Sequence, residues 1–358
     1  MKIGILTQPL GVNYGGILQN YALQTVLRRM GHEPVTLRVG KQTYWRWLVL
    51  YLKYMIKMCL GRIADFPETP AMIGRRTCGM ETFMQRQMNV SPQRVWYLRK
   101  DIEKFGLECL LVGSDQVWRP RYNRFVEDLF FRFAYDFDIP KVAYAASFGA
   151  SVWEFSSRQT ATCRELVKQF RAVSVREESG VTLCREHLGY DRAEWVLDPV
   201  FLLSRSDYET LCMDEPKRSP FVFAYVLDMN DEKRALCERI AQQKGLPLQL
   251  VSAHQGLTAT DSPQRWLASF RDTAYVVTDS FHGTAFSIIF HRDFLTLYNA
   301  QRGNARFDSL VKQFGIAGRV VEHPSAVGEV IEEVEWDKID EQWTEWKKRS
   351  MRFLSANL

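Results

Sequence analysis

Short apolar runs alternate with longer amphipathic segments along almost the whole chain, and no other feature of the sequence restricts the fold as much. "KIGILTQ" reads as a strand, "ILQNYALQTVLRRMG" as a helix ending on Gly31, and "EPVTLRV" as the next strand. Further strands are expected at "CLLVGSD", "KVAYAASFG", "FRAVSV" and "AEWVLDPVFLL", the last breaking at Asp198-Pro199. A second series opens at "PFVFAYVLD" and continues through "PLQLVS", "AYVVTDS" and "DFLTLYN", again with helical segments between them. "WDKIDEQWTEWKKRSMRFLSANL" is an amphipathic helix with no strand after it. Strands separated by helices pair in parallel, so the fold class is α/β. A length of 358 residues suits two cores better than one. The expectation is two doubly wound, Rossmann-like domains facing a cleft, residues 1–205 and 206–330, with a C-terminal helix over 331–358 returning to the first domain.

A formal net charge of +5 is too mild to call for nucleic acid, but it suits an anionic small molecule or an anionic membrane surface. The seven cysteines are odd in number and form no C-x-x-C pair, so reduced thiols are expected, with neither a disulfide framework nor a zinc site. Met1-Lys2 leads directly into a strand, with no apolar run of signal-peptide length, which points to the cytoplasm.

The segment "YWRWLVLYLKYMIKMCLGR", Tyr44 to Arg62, is apolar and aromatic, yet carries Arg46, Lys53 and Lys57. On a helix those cations fall in a stripe of about 40°. The segment is too charged to span a bilayer, which takes about 20 apolar residues. Two readings stay open. It packs on its own domain with its lysines snorkelling, or it lies in a membrane interface with Trp45, Trp47, Tyr51 and Tyr54 at headgroup depth.

In open α/β sheets ligands gather at the carboxyl ends of strands. Four such ends carry small or polar residues here: "GVNYGG", "GSDQVW", "SFGAS" and "TDSFHG". In the last, His282 falls in the first turn of an expected helix, where free N–H groups and the helix dipole favour an anion. Ser280 or Asp279 would cap that helix, and Gly283 would let a ligand approach the backbone. His291, at the far end, reads as a partner of the helix C-terminus. Arg176 in "SVREESG" is either a surface ion-pair partner or a two-pronged donor to phosphate or carboxylate in the cleft. The same choice applies to Arg302 and Arg306 in "QRGNARF". Asp136-x-Asp138 precedes a strand instead of ending one, and reads as a solvated turn, not a metal site. Neither a G-x-G-x-x-G loop, a P-loop, an H-E-x-x-H helix nor a serine nucleophile elbow occurs, which removes redox-dinucleotide and metal-hydrolase readings.

Taken in order, "NYGGILQNYAL", "LLVGSDQVW", "VAYAASFGAS", "SVREESG", "VLDPVFLL" and "TDSFHGTAFSIIF" resemble the polysaccharide pyruvyl transferase family, from about residue 2 to about residue 320. The resemblance implies a GT-B-like pair of Rossmann-like domains. It also implies transfer of a pyruvate ketal from phosphoenolpyruvate onto two hydroxyls of a sugar in a cell-surface polysaccharide or its lipid-linked precursor, with release of phosphate. No cofactor or metal is implied, since phosphoenolpyruvate is a co-substrate. The family's histidine in the strand-to-helix turn matches His282, and its arginine in the S-x-R-[DE] string matches Arg176. A family lysine after the next strand is absent. Arg306 or Arg302 stands in its place. Beside these donor-side residues, with Ser280 and Gly283, the resemblance leads to Asp115 as the base for a sugar hydroxyl. Asn13, Tyr14, Gly15, Trp118 and Ser147 would line the acceptor side, Tyr14 or Trp118 stacking on the sugar ring. Two other functions remain compatible: a nucleotide-sugar glycosyltransferase of GT-B architecture, and a non-catalytic glycan-binding module.

Overall fold

The computed structural model describes residues 1–38, 44–60, 70–92, 99–252, 261–299, 303–327 and 334–358. Its first half builds one parallel sheet from β1 (Lys2–Leu6), β2 (Glu33–Thr36), β3 (Cys109–Val112), β4 (Lys141–Ala146), β5 (Ala172–Val175) and β6 (Glu194–Trp195), in the order β2-β1-β3-β4-β5-β6. Its second half builds another from β7 (Val222–Tyr225), β8 (Leu248–Val251), β9 (Tyr275–Thr278), β10 (Asp293–Leu297) and β11 (Val320–Val321), in the order β11-β10-β9-β7-β8. Every strand pairing is parallel, as the intervening helices demand. Central strands such as "CLLV" and "YVVT" are buried from end to end, because helices cover both faces.

The helices are α1 (Tyr14–Arg29), α2 (Tyr44–Cys59), α3 (Pro70–Arg76), α4 (Cys78–Gln87), α5 (Arg99–Phe105), α6 (Ser157–Val167), α7 (Glu178–Leu188), α8 (Arg205–Leu211), α9 (Asp231–Lys244), α10 (Pro263–Asp272), α11 (Phe281–Ile289), α12 (Ala305–Phe314) and α13 (Trp336–Asn357). Their ends follow local chemistry. Ser262 accepts the Arg265 N–H at 3.1 Å with Pro263 at the first helical position of α10, and α9 and α12 stop on left-handed Gly245 and Gly315.

Two local expectations change. "AEWVLDPVFLL" is strand only at Glu194–Trp195. Asp198 then accepts the Val200 N–H at 3.1 Å, and Pro199–Leu202 coils as a 3-10 turn. Helix α1 opens at Tyr14, so "YGG" belongs to its first turn and not to a loop.

One hydrophobic cluster runs from Ile5 and Leu23 through Tyr14 and Trp266 to Phe223 and Phe286, joining the two halves. The Tyr14 and Trp266 rings stack at 5.3 Å, nearly parallel, and Arg29 at the end of α1 pairs with Asp207 of α8. Helix α13 reaches the first half. Ser350 accepts the Leu197 N–H at 2.9 Å, the Trp343 indole donates to the Phe201 carbonyl at 2.7 Å, and Phe353 lies beside Tyr144. His291, just past the end of α11, bonds to Asp340 of α13 at 2.9 Å and stacks on Trp336, tethering the two helices. Asp136 and Asp138 are exposed in the turn before β4. None of the seven cysteines is in a disulfide, and burial raises the thiol of Cys109 to about 12.

Candidate active site

A cavity of about 270 Å³ opens where the carboxyl ends of the two sheets meet. Gln8, Pro9, Asn13, Asp115, Gln116 and Tyr122 line it from the first half, and Leu227, Asp279, Ser280, Phe281, His282 and Arg306 from the second. Five residues singled out from the sequence as ligand contacts therefore share one wall: Asn13, Asp115, Ser280, His282 and Arg306. Arg302 lies outside the described residues.

Strand β9 ends on Thr278, and the chain turns directly into α11. Ser280 is the cap, accepting the Gly283 N–H at 3.3 Å, while Asp279 is occupied elsewhere. The Asp279 carboxylate accepts the N–H groups of Leu227 (2.6 Å) and Asp228 (3.2 Å), and it binds the Lys233 ammonium at 2.7 Å. It thus ties the loop after β7 to the end of β9. A side chain on Gly283 would overlap Thr278, so this glycine lets helix and strand close together and is not an opening for ligand. His282 sits in the first turn of α11 and is buried.

Gly15 lies in the first turn of α1, and a Cβ there would overlap the His282 ring. The imidazole therefore rests against the first turn of a helix from the other half while belonging to a first turn itself. Both helix ends carry N–H groups without helical acceptors and positive dipole ends. A second contact between halves brings Arg306 in. Gly303 (φ 94°) and Gly149 (φ 70°) are left-handed, and a Cβ on Gly303 would overlap the Gly149 carbonyl. The loop thus pressed against the first half opens α12, on which Arg306 is the second residue.

Arg176 is fully buried and is not part of the cavity wall. Its guanidinium donates to Asp198 at 2.8 Å and to Asp115 at 3.4 Å, lies 3.8 Å from Glu177, and stacks over Phe281. It is held by carboxylates behind the cavity, which corrects both sequence readings of it, surface partner and direct donor. Asp198, passed over in the sequence as the residue that breaks a strand, is the link. Its Oδ2 takes Arg176, accepts the Ser114 hydroxyl at 3.1 Å, and lies 3.7 Å from His282 Nε2. Burial alone would raise the Asp198 carboxyl, but His282 and Arg176 beside it hold it well below the usual carboxylate range. The readable signal was an acid directly before a proline at a break in an apolar run.

Burial pushes the Glu177 carboxyl up, against the pull of Arg176 and the Ser147 hydroxyl bonded to it. Burial, and then the neighbouring Arg176, lower Arg306 to about 10. The cluster sets two guanidiniums (Arg176, Arg306) against three carboxyls (Asp115, Glu177, Asp198), of which burial pushes Glu177 toward its neutral form.

The remaining acceptor-side expectations fare differently. Trp118 is fully buried, stacked on Phe130 at 4.4 Å, with its indole N–H on the Leu129 carbonyl, so it offers no face to a sugar. Tyr14 has its ring in the core between the halves, and burial, helped by Asp261, raises its phenol. Ser147 is buried, donating to Glu177 and accepting the Gly149 N–H at 3.1 Å. Gly15 serves His282. The aromatic at the cavity mouth is Tyr122, 46% exposed, with Arg119 over its ring. Its sequence context, "PRYNRF", carries no periodicity that would single it out.

The polysaccharide pyruvyl transferase family model matches residues 13–301, taking in every cavity residue except Gln8, Pro9 and Arg306. The chain belongs to the polysaccharide pyruvyl transferase family. Solved structures similar to this pyruvyl transferase family member agree on the fold. The glycotransferase of kitacinnamycin shares 11% identity at a TM-score of 0.50, covering 100% of this chain and 99% of its own. A UDP-GlcNAc 2-epimerase from Methanocaldococcus jannaschii, in complex with UDP-GlcNAc and UDP, shares 8% identity at 0.50, covering 99% and 100%. The architecture is GT-B-like, two Rossmann-like halves around a cleft. No curated protein matches the sequence.

Proposed function

We propose that this pyruvyl transferase family member moves a pyruvate ketal from phosphoenolpyruvate onto two hydroxyls of one sugar and releases phosphate. The observation that carries the reading is His282, held between the first turns of two helices at a small cavity whose wall includes Arg306. Phosphoenolpyruvate carries about three negative charges near neutral pH. A cation already strained by burial and by Arg176 gains most from such an anion, and the two helix ends add N–H donors.

The chemistry balances as follows. The methylene carbon takes a proton, a sugar hydroxyl oxygen bonds to the adjacent carbon and loses its proton, and the carbon–oxygen bond to phosphate breaks. A second hydroxyl of the same sugar then bonds to that carbon, gives up its proton to the released phosphate and closes the ring. His282, oriented by Asp198, is suited to move a proton or steady the departing phosphate. Asp115, at the wall beside Arg306, is the base for the hydroxyl. Arg176 acts through Asp198 and Asp115 as a positioning residue. Tyr122 supplies the aromatic surface for the sugar.

Phosphate release from phosphoenolpyruvate should require a fitting sugar acceptor, and His282→Ala should lower it by about 100-fold or more. Turnover like that of the parent chain in this variant would remove the assignment. The likeness to an epimerase crystallised with UDP-GlcNAc supports a second reading, use of a nucleotide sugar. Thermal shift separates the two, since the true donor alone raises the melting midpoint.

A further inference from the structure

Helix α2 presents its apolar side chains to solvent. Val49, Leu52, Ile56 and, just past its end, Leu60 are 50 to 61% exposed. At about 100° per residue these four fall within an arc of about 80°, with Lys53 and Lys57 following directly on one flank. Leu48, Tyr51, Met55 and Met58 occupy the opposite side and are half-buried, and no described side chain of α2 is fully buried. The half-buried apolar side faces the protein and the lysines lie outward, so the exposed arc is a second apolar face that the helix's own packing leaves uncovered. No acidic residue occurs from Tyr44 to Leu60 or in α3, and no carboxylate pairs with Lys53 or Lys57 among the described residues. The side chains of Trp45 and Trp47, and Arg62, lie outside the described residues.

We infer that α2 is an interfacial helix that lays Val49, Leu52, Ile56 and Leu60 into an anionic lipid surface, with Lys53 and Lys57 at the headgroups. Charge complementarity selects this occupant. An apolar arc flanked by lysines with no carboxylate partner among the described residues, on a chain of net charge +5, matches acidic headgroups over acyl chains. A second copy would bring like charges together instead. No helix among the described residues is long and apolar enough to cross a membrane, so the contact is peripheral. Strand β2 ends at Thr36 on the same edge of the sheet as the cavity, and α2 is the next helix in the chain. The inference stands independently of ketal transfer.

The test is co-sedimentation of the full-length protein with phosphatidylcholine vesicles, with and without phosphatidylglycerol. The parent chain should partition onto the anionic vesicles and come off with added salt. Lys53→Gln with Lys57→Gln should weaken partitioning roughly 30-fold. Leu52→Ser with Ile56→Ser should abolish it, while circular dichroism and phosphate release stay unchanged in both variants. No partitioning by the parent chain, or equal partitioning by both variants, would overturn the inference. So would a concentration-dependent dimer in sedimentation that only Leu52→Ser with Ile56→Ser dissolves, since the arc would then be covered by protein.

Discussion

A methyl group on Gly15 would occupy the space of the His282 imidazole, so the two residues specify each other although 267 positions separate them. Gly15→Ala is expected to displace the ring and cut phosphate release at least tenfold, with a lowered melting midpoint. Gly11→Ala, where a Cβ would meet nothing within 4 Å, serves as the control and should leave both unchanged. Arg306 supports a separate prediction. In the proposed reaction its buried charge would hold the donor, so Arg306→Gln should raise KM for phosphoenolpyruvate by about tenfold or more while leaving KM for the sugar near its original value. Equal effects on both substrates would move Arg306 away from the donor. At this scale the sequence pointed to His282 and Arg306, which line the cavity, but not to the enclosure of Arg176 behind it, because residue type does not reveal which way a guanidinium points. Asp198 went unnoticed because its partners, Ser114, Arg176 and His282, come from three other segments.

Helix α11 shows how an element delivers a functional group. It is buried throughout, from Phe281 to Ile289, so its position is fixed by packing, and its start by the Ser280 hydroxyl on the Gly283 N–H. Ser280→Ala should cost ~1 kcal/mol, read as a lower urea midpoint with an unchanged slope. A loss of activity much larger than this would add a ligand contact to the capping role, since Ser280 also lines the cavity. Apolar periodicity located α11, β9 and most of the alternation, because buried strands and helices need those patterns. It did not locate the 3-10 turn at Pro199–Leu202 or the true start of α1. There the deciding forces were a single aspartate cap and a close approach from the other half.

For the whole molecule, the cluster around Arg176 makes stability depend on acid. The folded-state Asp198 carboxyl is held below its ordinary value, while in the unfolded chain it titrates near ~3.9. The unfolded state therefore binds the proton first as pH falls. The contribution of Asp198 is complete above about pH 5 and is lost as pH drops through the unfolded value and on through the folded one. Urea midpoints measured from pH 7 to pH 3 should fall more steeply for the parent chain than for Asp198→Asn. That variant should also start lower at pH 7, by roughly 3 to 5 kcal/mol, since Arg176 loses its closest counter-charge. Parallel acid limbs for the two proteins would assign the pH dependence to another group.

By itself, the order of apolar runs determined two parallel sheets, their helices and the histidine turn, because burying strands on both faces leaves a one-dimensional trace. An ordered set of short strings was enough to indicate the family. Only the tertiary structure decided that Arg176 is enclosed while Arg306 reaches the cavity, that Trp118 is core while Tyr122 is at the mouth, and that Asp198 joins His282 to Arg176. Those facts depend on distances between residues far apart in the chain. They are set by how two sheets pack across a cleft, which no local pattern encodes.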